Sequence, residues 1–233
     1  MDLYNYGSVS TNMSASKRRR LTITPSSAGE IDLEAIALPE GLEEQLFSSF
    51  RMPTDDKICA KDNHIYFYAP LNDRTSFRLN MVLKDTIREM QEMGLRFGID
   101  PPVIKLHISS PGGVVFGGLS IVDTIKSSPV EIHSIVEGSA ASAATFISIV
   151  CKKRYIRKHA FMLIHQLSTG VWGKADEVLD EAENVKRITE VVEDIYASHS
   201  DMSRPSIRKL KKHDLWMKPL ECMERGLVDE ILE

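Results

Sequence analysis

Three short stretches carry groups suited to nucleophilic acyl transfer. Residues 138–145 read GSAASAAT and place Ser142 among small neighbours, between the apolar runs VEIHSIV and FISIV. A serine at a strand-to-helix turn stands beside unpaired N–H groups and the positive end of the helix dipole, where an oxyanion would form. His165 closes the apolar strand FMLI and is followed by Gln166. A histidine at a strand end can reach over a sheet edge into a cleft, as a general base needs. Ser110-Pro111-Gly112-Gly113 follows VIKLHI. Paired glycines let the backbone turn sharply and come close to a ligand, with N–H groups for an oxyanion or an extended peptide. Singly, each stretch also has a structural reading: close packing, a buried core histidine, a common turn. A serine–histidine pair calls for an orienting carboxylate. On chain distance alone Asp176, Asp180, Asp201 and Asp214 all qualify.

The elements that must position these groups are readable from patterning. HIYFYA (64–69), VIKLHI (103–108), VEIHSIV (130–136), RYI (154–156) and FMLI (161–164) are rich in β-branched and aromatic residues and predict strands. Residues 73–93 predict a helix through Phe77, Met81, Ile87, Met90 and Met93, and VVFGGLSIVDTIK and ASAATFISIV predict two more. Residues 174–199 predict the longest helix, with Ala175, Val178, Leu179, Ala182, Val185, Ile188, Val192 and Ile195 on one face. That stripe suits either its own domain or a neighbouring chain. Alternating strands and helices predict an α/β protein with a mostly parallel sheet.

Composition sets outer limits. The chain has 233 residues, net charge −4, 42% hydrophobic and 27% charged residues, enough for a sizeable core and without a global bias toward nucleic acid. Cys59, Cys151 and Cys222 are widely spaced and odd in number, which fits a reducing cytosol better than a disulfide framework or a metal site. No stretch is apolar and long enough to predict a membrane span or a signal peptide. Residues 1–29, with the basic cluster Lys17-Arg18-Arg19-Arg20, read as a mobile tail or removable leader. Residues 30–62 read as a divergent N-terminal segment, in which 30–50 is weakly amphipathic and broken by Pro39 and Gly41.

The order strand–SPGG–helix, strand–GSAAS–helix, strand–IHQ resembles the ClpP family, the proteolytic subunit of the Clp serine proteases. The matching pieces are HISSPGGVVFGGLSIVDTI, EGSAASAATF, KRYIRKHAFMLIHQ and MERGLVDEIL, within about residues 63–233. The resemblance implies a ClpP/crotonase-like α/β fold of repeated ββα units with a protruding helix–strand handle over about 166–199. It implies Ser142 as nucleophile, His165 as base and Asp214 as the orienting carboxylate, chosen by its spacing to Trp216-Met217 and to Gly226-Leu227-Val228-Asp229. By position the oxyanion donors are the N–H groups of Gly113 and Ala143. Gly112, Val114, Gln166 and Leu167 would line the substrate strand, bound by β-strand addition. No cofactor or metal is implied. The implied partners are further copies of the chain in a ring (two stacked heptamers), unfolded polypeptides, and an ATP-driven AAA+ unfoldase, with neither nucleic acid nor membrane and a cytoplasmic setting.

The chain also departs from that pattern. Leu167 stands where relatives carry proline, LSTGVWG is poor in glycine and includes Trp172, and residues 1–62 lack a match to the family's N-terminal docking strand and loop. Four other readings compete. They are a catalytically silent ring subunit, a viral-type capsid-maturation protease working without an unfoldase, an acyl-CoA enzyme of the crotonase superfamily, and a Ser–Lys peptidase. A retained serine, histidine and aspartate argue against the first, and the GSAAS–IHQ combination against the third. For the last, no lysine stands out at the required place.

Overall fold

The computed structural model describes residues 57–233. The expected tail, its Lys17–Arg20 cluster and all but the end of the 30–62 segment lie outside the described residues. Strands β1 (Ile58–Lys61) and β2 (His64–Phe67) form an antiparallel hairpin. From β2 onward every pairing is parallel: β3 (Ile104–Ser110), β4 (Ile132–Ala141), β5 (Lys153–Arg157) and β7 (Glu230–Leu232) extend the sheet, and β6 (Phe161–Leu163) pairs with the far end of β4. Helices α1 (Asp73–Phe97), α2 (Val115–Lys126) and α3 (Ala143–Ile149) lie between the strands in sequence. Helix α4 (Ala175–His199) is followed by α5 (Arg204–Leu210) and α6 (Pro219–Glu224).

Helix α1 starts on a reciprocal cap, in which Asn72 Oδ1 accepts from Thr75 N–H at 2.9 Å and Thr75 Oγ1 accepts from Asn72 N–H at 2.8 Å. Its buried face is Leu79, Val82, Leu83, Thr86, Ile87 and Met90. Of the expected stripe, Ile87 and Met90 are buried, whereas Phe77, Met81 and Met93 are exposed. Two apolar stripes run along this helix at similar spacing, and the sheet covers only one. The core joins that face to Ile65, Phe67, Ile104, Leu106, Ile108, Ile121, Val136, Phe146, Ile147 and Ile156, all buried. The opposite sheet face carries polar rings: Tyr66 stacks on His107 with centroids 4.6 Å apart, and His107 Nδ1 lies 3.0 Å from Glu137 Oε1.

Two expectations need correction. The third strand was expected to end at Val136 and its helix to begin at Ala141. Instead β4 runs to Ala141 because Ser139, Ala140 and Ala141 pair with Phe161, Met162 and Leu163, and the helix starts at Ala143. The strand part of the handle, expected within 166–199, is not formed: residues 166–174 carry no strand. The long helix splits its apolar stripe: Val192 and Ile195 pack against the core, while Val178 and Leu179 are exposed.

The C-terminal segment is fastened by Arg154. Its backbone N–H and Nε donate to Asp229 Oδ2 at 2.8 and 3.1 Å, and its Nη1 donates to the carbonyls of His199 and Gly226. Among the described residues no helix is long and apolar enough to cross a membrane.

Candidate active site

Ser142 sits between the last residue of β4 and the first of α3, with φ 53° and ψ −126°. Asp62 is the one other non-glycine residue with positive φ among the described residues. That backbone is costly for a residue with a Cβ and persists where neighbours over-determine it. Here its N–H donates to Leu163 O at 2.9 Å, and its carbonyl accepts from Thr145 N–H at 2.9 Å and Thr145 Oγ1 at 2.6 Å. The first of these bonds ties the serine to β6, two residues before His165.

The SPGG turn is strapped along Leu71. Leu71 N–H donates to Gly112 O at 2.8 Å, and Val114 N–H donates to Leu71 O at 3.0 Å. Ser110 Oγ donates to Ala69 O at 2.7 Å and accepts from Gly112 N–H at 3.1 Å. Gly112 and Gly113 have φ of 78° and 146°. A Cβ on Gly112 would lie 2.3 Å from Ala141 O and 2.8 Å from Ser142 Cβ, and one on Gly113 would lie 2.0 Å from Leu71 O. Only glycine lets this turn lie against the serine elbow. The N–H groups of Gly113 and Ala143 take no part in these bonds.

Ser142, His165, Gly113, Val114, Gln166 and Leu167 line one groove of about 590 Å³. Its further walls are Leu71, Phe116, Val185 and Ile188, with Thr169 and Glu181 at the side, where Thr169 Oγ1 donates to Glu181 Oε1 at 2.9 Å. Sequence reasoning missed these walls; Leu71 sits in a stretch without a chemical signature, and Glu181 looks like one more charge on a solvated helix. Of the expected site residues, Gly112 and Ala143 flank Ser142 without lining the groove.

The four candidate aspartates separate. His165 Nδ1 lies 4.0 Å from Asp214 Oδ1, and His165 makes no ion pair with the other three. Asp176 and Asp180 lie in the first turns of α4, and Asp201 lies beside Gly226. An antiparallel bridge between Met162 and Met217 brings the Asp214 segment alongside β6. Among the described residues, no group of three His, Cys, Asp or Glu side chains is placed to hold a metal ion. A hydroxyl and an imidazole in one groove, with the N–H group of Gly113 on its wall and that of Ala143 next to the serine, are the parts of an acyl-transfer site.

The comparisons with known proteins bear on the family and the fold. The family described as Clp protease matches residues 97–233. The ATP-dependent Clp protease proteolytic subunit 1 of Streptomyces avermitilis is 33% identical over 132 residues, which is 56% of this chain and 61% of that protein. The match thus spans less than two thirds of the relative. A ClpP1 mutant from Listeria monocytogenes superposes with a TM-score of 0.62 at 24% identity, over 71% of this chain and 88% of that one, which speaks to the fold alone. With its strand–turn–helix order and its profile in agreement over more than half its length, the chain belongs to the Clp protease family.

Proposed function

We propose that this chain is a serine endopeptidase of ClpP type. The observation that carries this reading is the strained Ser142 elbow, sharing a groove with His165 and flanked by the unbonded N–H groups of Gly113 and Ala143. His165 takes the Ser142 proton as the hydroxyl attacks a peptide carbonyl. Asp214 holds the imidazole tautomer and stabilises the imidazolium. The Gly113 and Ala143 N–H groups bind the oxyanion, a donor pair in which each member is worth about 3 kcal/mol of barrier. The tetrahedral intermediate collapses as His165 returns the proton to the leaving amine, and water then hydrolyses the acyl-enzyme.

The substrate is an extended, unfolded polypeptide. It would lie between Gly112–Val114 and the Gln166–Leu167 segment, pairing through its backbone, with Phe116, Val185 and Ile188 supplying apolar pockets. Segment 166–174 lacks a strand partner among the described residues, so a substrate or a second copy would complete it. The exposed Val178 and Leu179 and the fully exposed Trp172 support assembly into a ring of copies, two stacked heptamers by family analogy. An AAA+ unfoldase would feed the chamber, and the free cysteines suit the cytoplasm.

The 4.0 Å His165–Asp214 spacing also suits a catalytically silent ring subunit. Hydrolysis of a fluorogenic peptide and of an unfolded protein by the wild type and by Ser142→Ala separates the two. Activity confined to the wild type supports the peptidase. An inert wild type in an intact ring supports the silent subunit.

A further inference from the structure

Within α4 the buried residues are Glu193 and Tyr196, one turn apart. Each connects to a different part of the site. Glu193 Oε2 accepts from Arg208 Nε at 2.9 Å and its Oε1 accepts from Lys211 Nζ at 2.5 Å. Both donors lie on or just after α5, a helix of seven residues that is too short to hold its own geometry. Its apolar anchors are the buried Ile207 and the partly buried Leu210. The two bonds to Glu193 add a polar fastening on the α4 side.

Asp214 follows Lys211 by three residues, after a turn closed by His213 N–H on Leu210 O at 3.2 Å. Beyond it, Met217 exchanges two backbone bonds with Met162, at 2.8 and 3.1 Å. The Asp214 loop is therefore fixed at one end by Glu193 and at the other by the strand that leads to His165. Burial would raise the Glu193 carboxyl, but hydrogen bonds from Lys211 and Arg208 hold it below its ordinary range, so both bonds are charge-assisted at neutral pH.

Tyr196 reaches the other end of the site. Its hydroxyl bonds to Thr145 Oγ1. Thr145 gives its single hydroxyl proton to the Ser142 carbonyl at 2.6 Å, so Tyr196 is the donor in the first bond. A relay of two hydroxyls thus holds the carbonyl of the strained residue.

We propose that this one buried turn of α4 positions the proposed triad from both ends, Glu193 setting Asp214 toward His165 and Tyr196 fixing the Ser142 elbow. Neither residue lines the groove, so both are positioning residues. This inference rests on the peptidase reading above.

The test uses the full chain and the rate of fluorophosphonate labelling of Ser142, mapped by mass, with melting temperatures alongside. Glu193→Gln is expected to slow labelling about tenfold, the loss of one charge-assisted contribution. Combined with Asp214→Ala it is expected to add nothing, because both changes remove the same contribution. Lys211→Met should reproduce the loss from the other side of the same bond, which gives the test a second variant if Glu193→Gln folds poorly. Tyr196→Phe should slow labelling whether or not Asp214 is present. Wild-type rates in Glu193→Gln and Lys211→Met, or losses that multiply in the double variant, would overturn the inference while leaving the peptidase reading intact. A wild type unlabelled at Ser142 would remove that reading itself, and the inference with it.

Discussion

His165 Nδ1 and Asp214 Oδ1 stand 4.0 Å apart, and the Asp214 side chain is 76% exposed. That is an ion-pair distance and too long for a hydrogen bond. In a triad the aspartate must accept a hydrogen bond from the Nδ1–H, and such bonds often tighten only with substrate bound. Asp214→Asn is therefore expected to lower kcat by on the order of 10²- to 10⁴-fold. Steady-state peptide hydrolysis measures it. A wild-type kcat in that variant would rule out an orienting role for Asp214.

The Ser142 elbow predicts a trade between stability and activity. Its φ of 53° and ψ of −126° suit glycine far better than serine. Ser142→Gly relieves strain of about 1–3 kcal/mol, against roughly 0.5–1 kcal/mol of added chain entropy in the unfolded state. The expected net gain is about 1 kcal/mol, a rise of a few degrees in Tm, with activity abolished. Scanning calorimetry reads the first and peptide hydrolysis the second. A lower melting temperature would mean that the hydroxyl stabilises the fold by more than its backbone strain costs.

Gly112→Ala should do the opposite. Its Cβ would meet backbone atoms at 2.3 and 2.8 Å on either side of Ser142, so the elbow and the turn must separate. We expect a loss of about 3 kcal/mol or more together with loss of labelling at Ser142. An active Gly112→Ala at wild-type stability would show that the close approach is dispensable.

Acid should loosen the C-terminal region. Burial would raise the carboxyls of Glu193 and Asp229, but hydrogen bonds from Lys211 and Arg208, and from Arg154, hold both below their ordinary values of 4.5 and 3.8. A depressed folded-state pKa adds stability that is complete above the unfolded value and is lost as pH falls through the folded one. Melting temperature should thus be insensitive to these two groups near neutrality and drop below about pH 4.5. Asp229→Asn should lower the neutral-pH melting temperature and flatten the acid limb. A parallel limb in that variant would remove Asp229 from the cause.

Thiol reactivity should divide the cysteines. Cys59 is exposed, whereas burial pushes the Cys151 and Cys222 thiols up to about 12. Iodoacetamide at neutral pH should modify Cys59 in the native protein and all three after denaturation. Rapid native labelling of Cys151 would show that the α3–β5 junction opens in solution.

Much of the fold was legible because burial on one sheet face imposes clear signals. Ile104, Leu106 and Ile108 alternate with outward residues. Ser142, His165 and the Gly113 turn were legible as chemical types at ordered intervals. What stayed hidden depends on contacts between segments far apart in the chain. The strand character of Ser139–Ala141 comes from pairing with Phe161–Leu163, not from its small residues. Phe77 and Met81 match a helical core stripe as well as Leu79 and Leu83 do, and only the position of the sheet selects between them. Glu193 and Tyr196 look like ordinary members of a charged helix until α5 and α3 fold against them.

The most direct measurement of the central claim is fluorophosphonate labelling of the intact chain, followed by intact-mass and peptide mapping. A single adduct on Ser142, absent from His165→Ala, is the expected result. No adduct on wild-type protein already assembled in a ring, or an adduct that persists undiminished without His165, would contradict an activated Ser142 nucleophile.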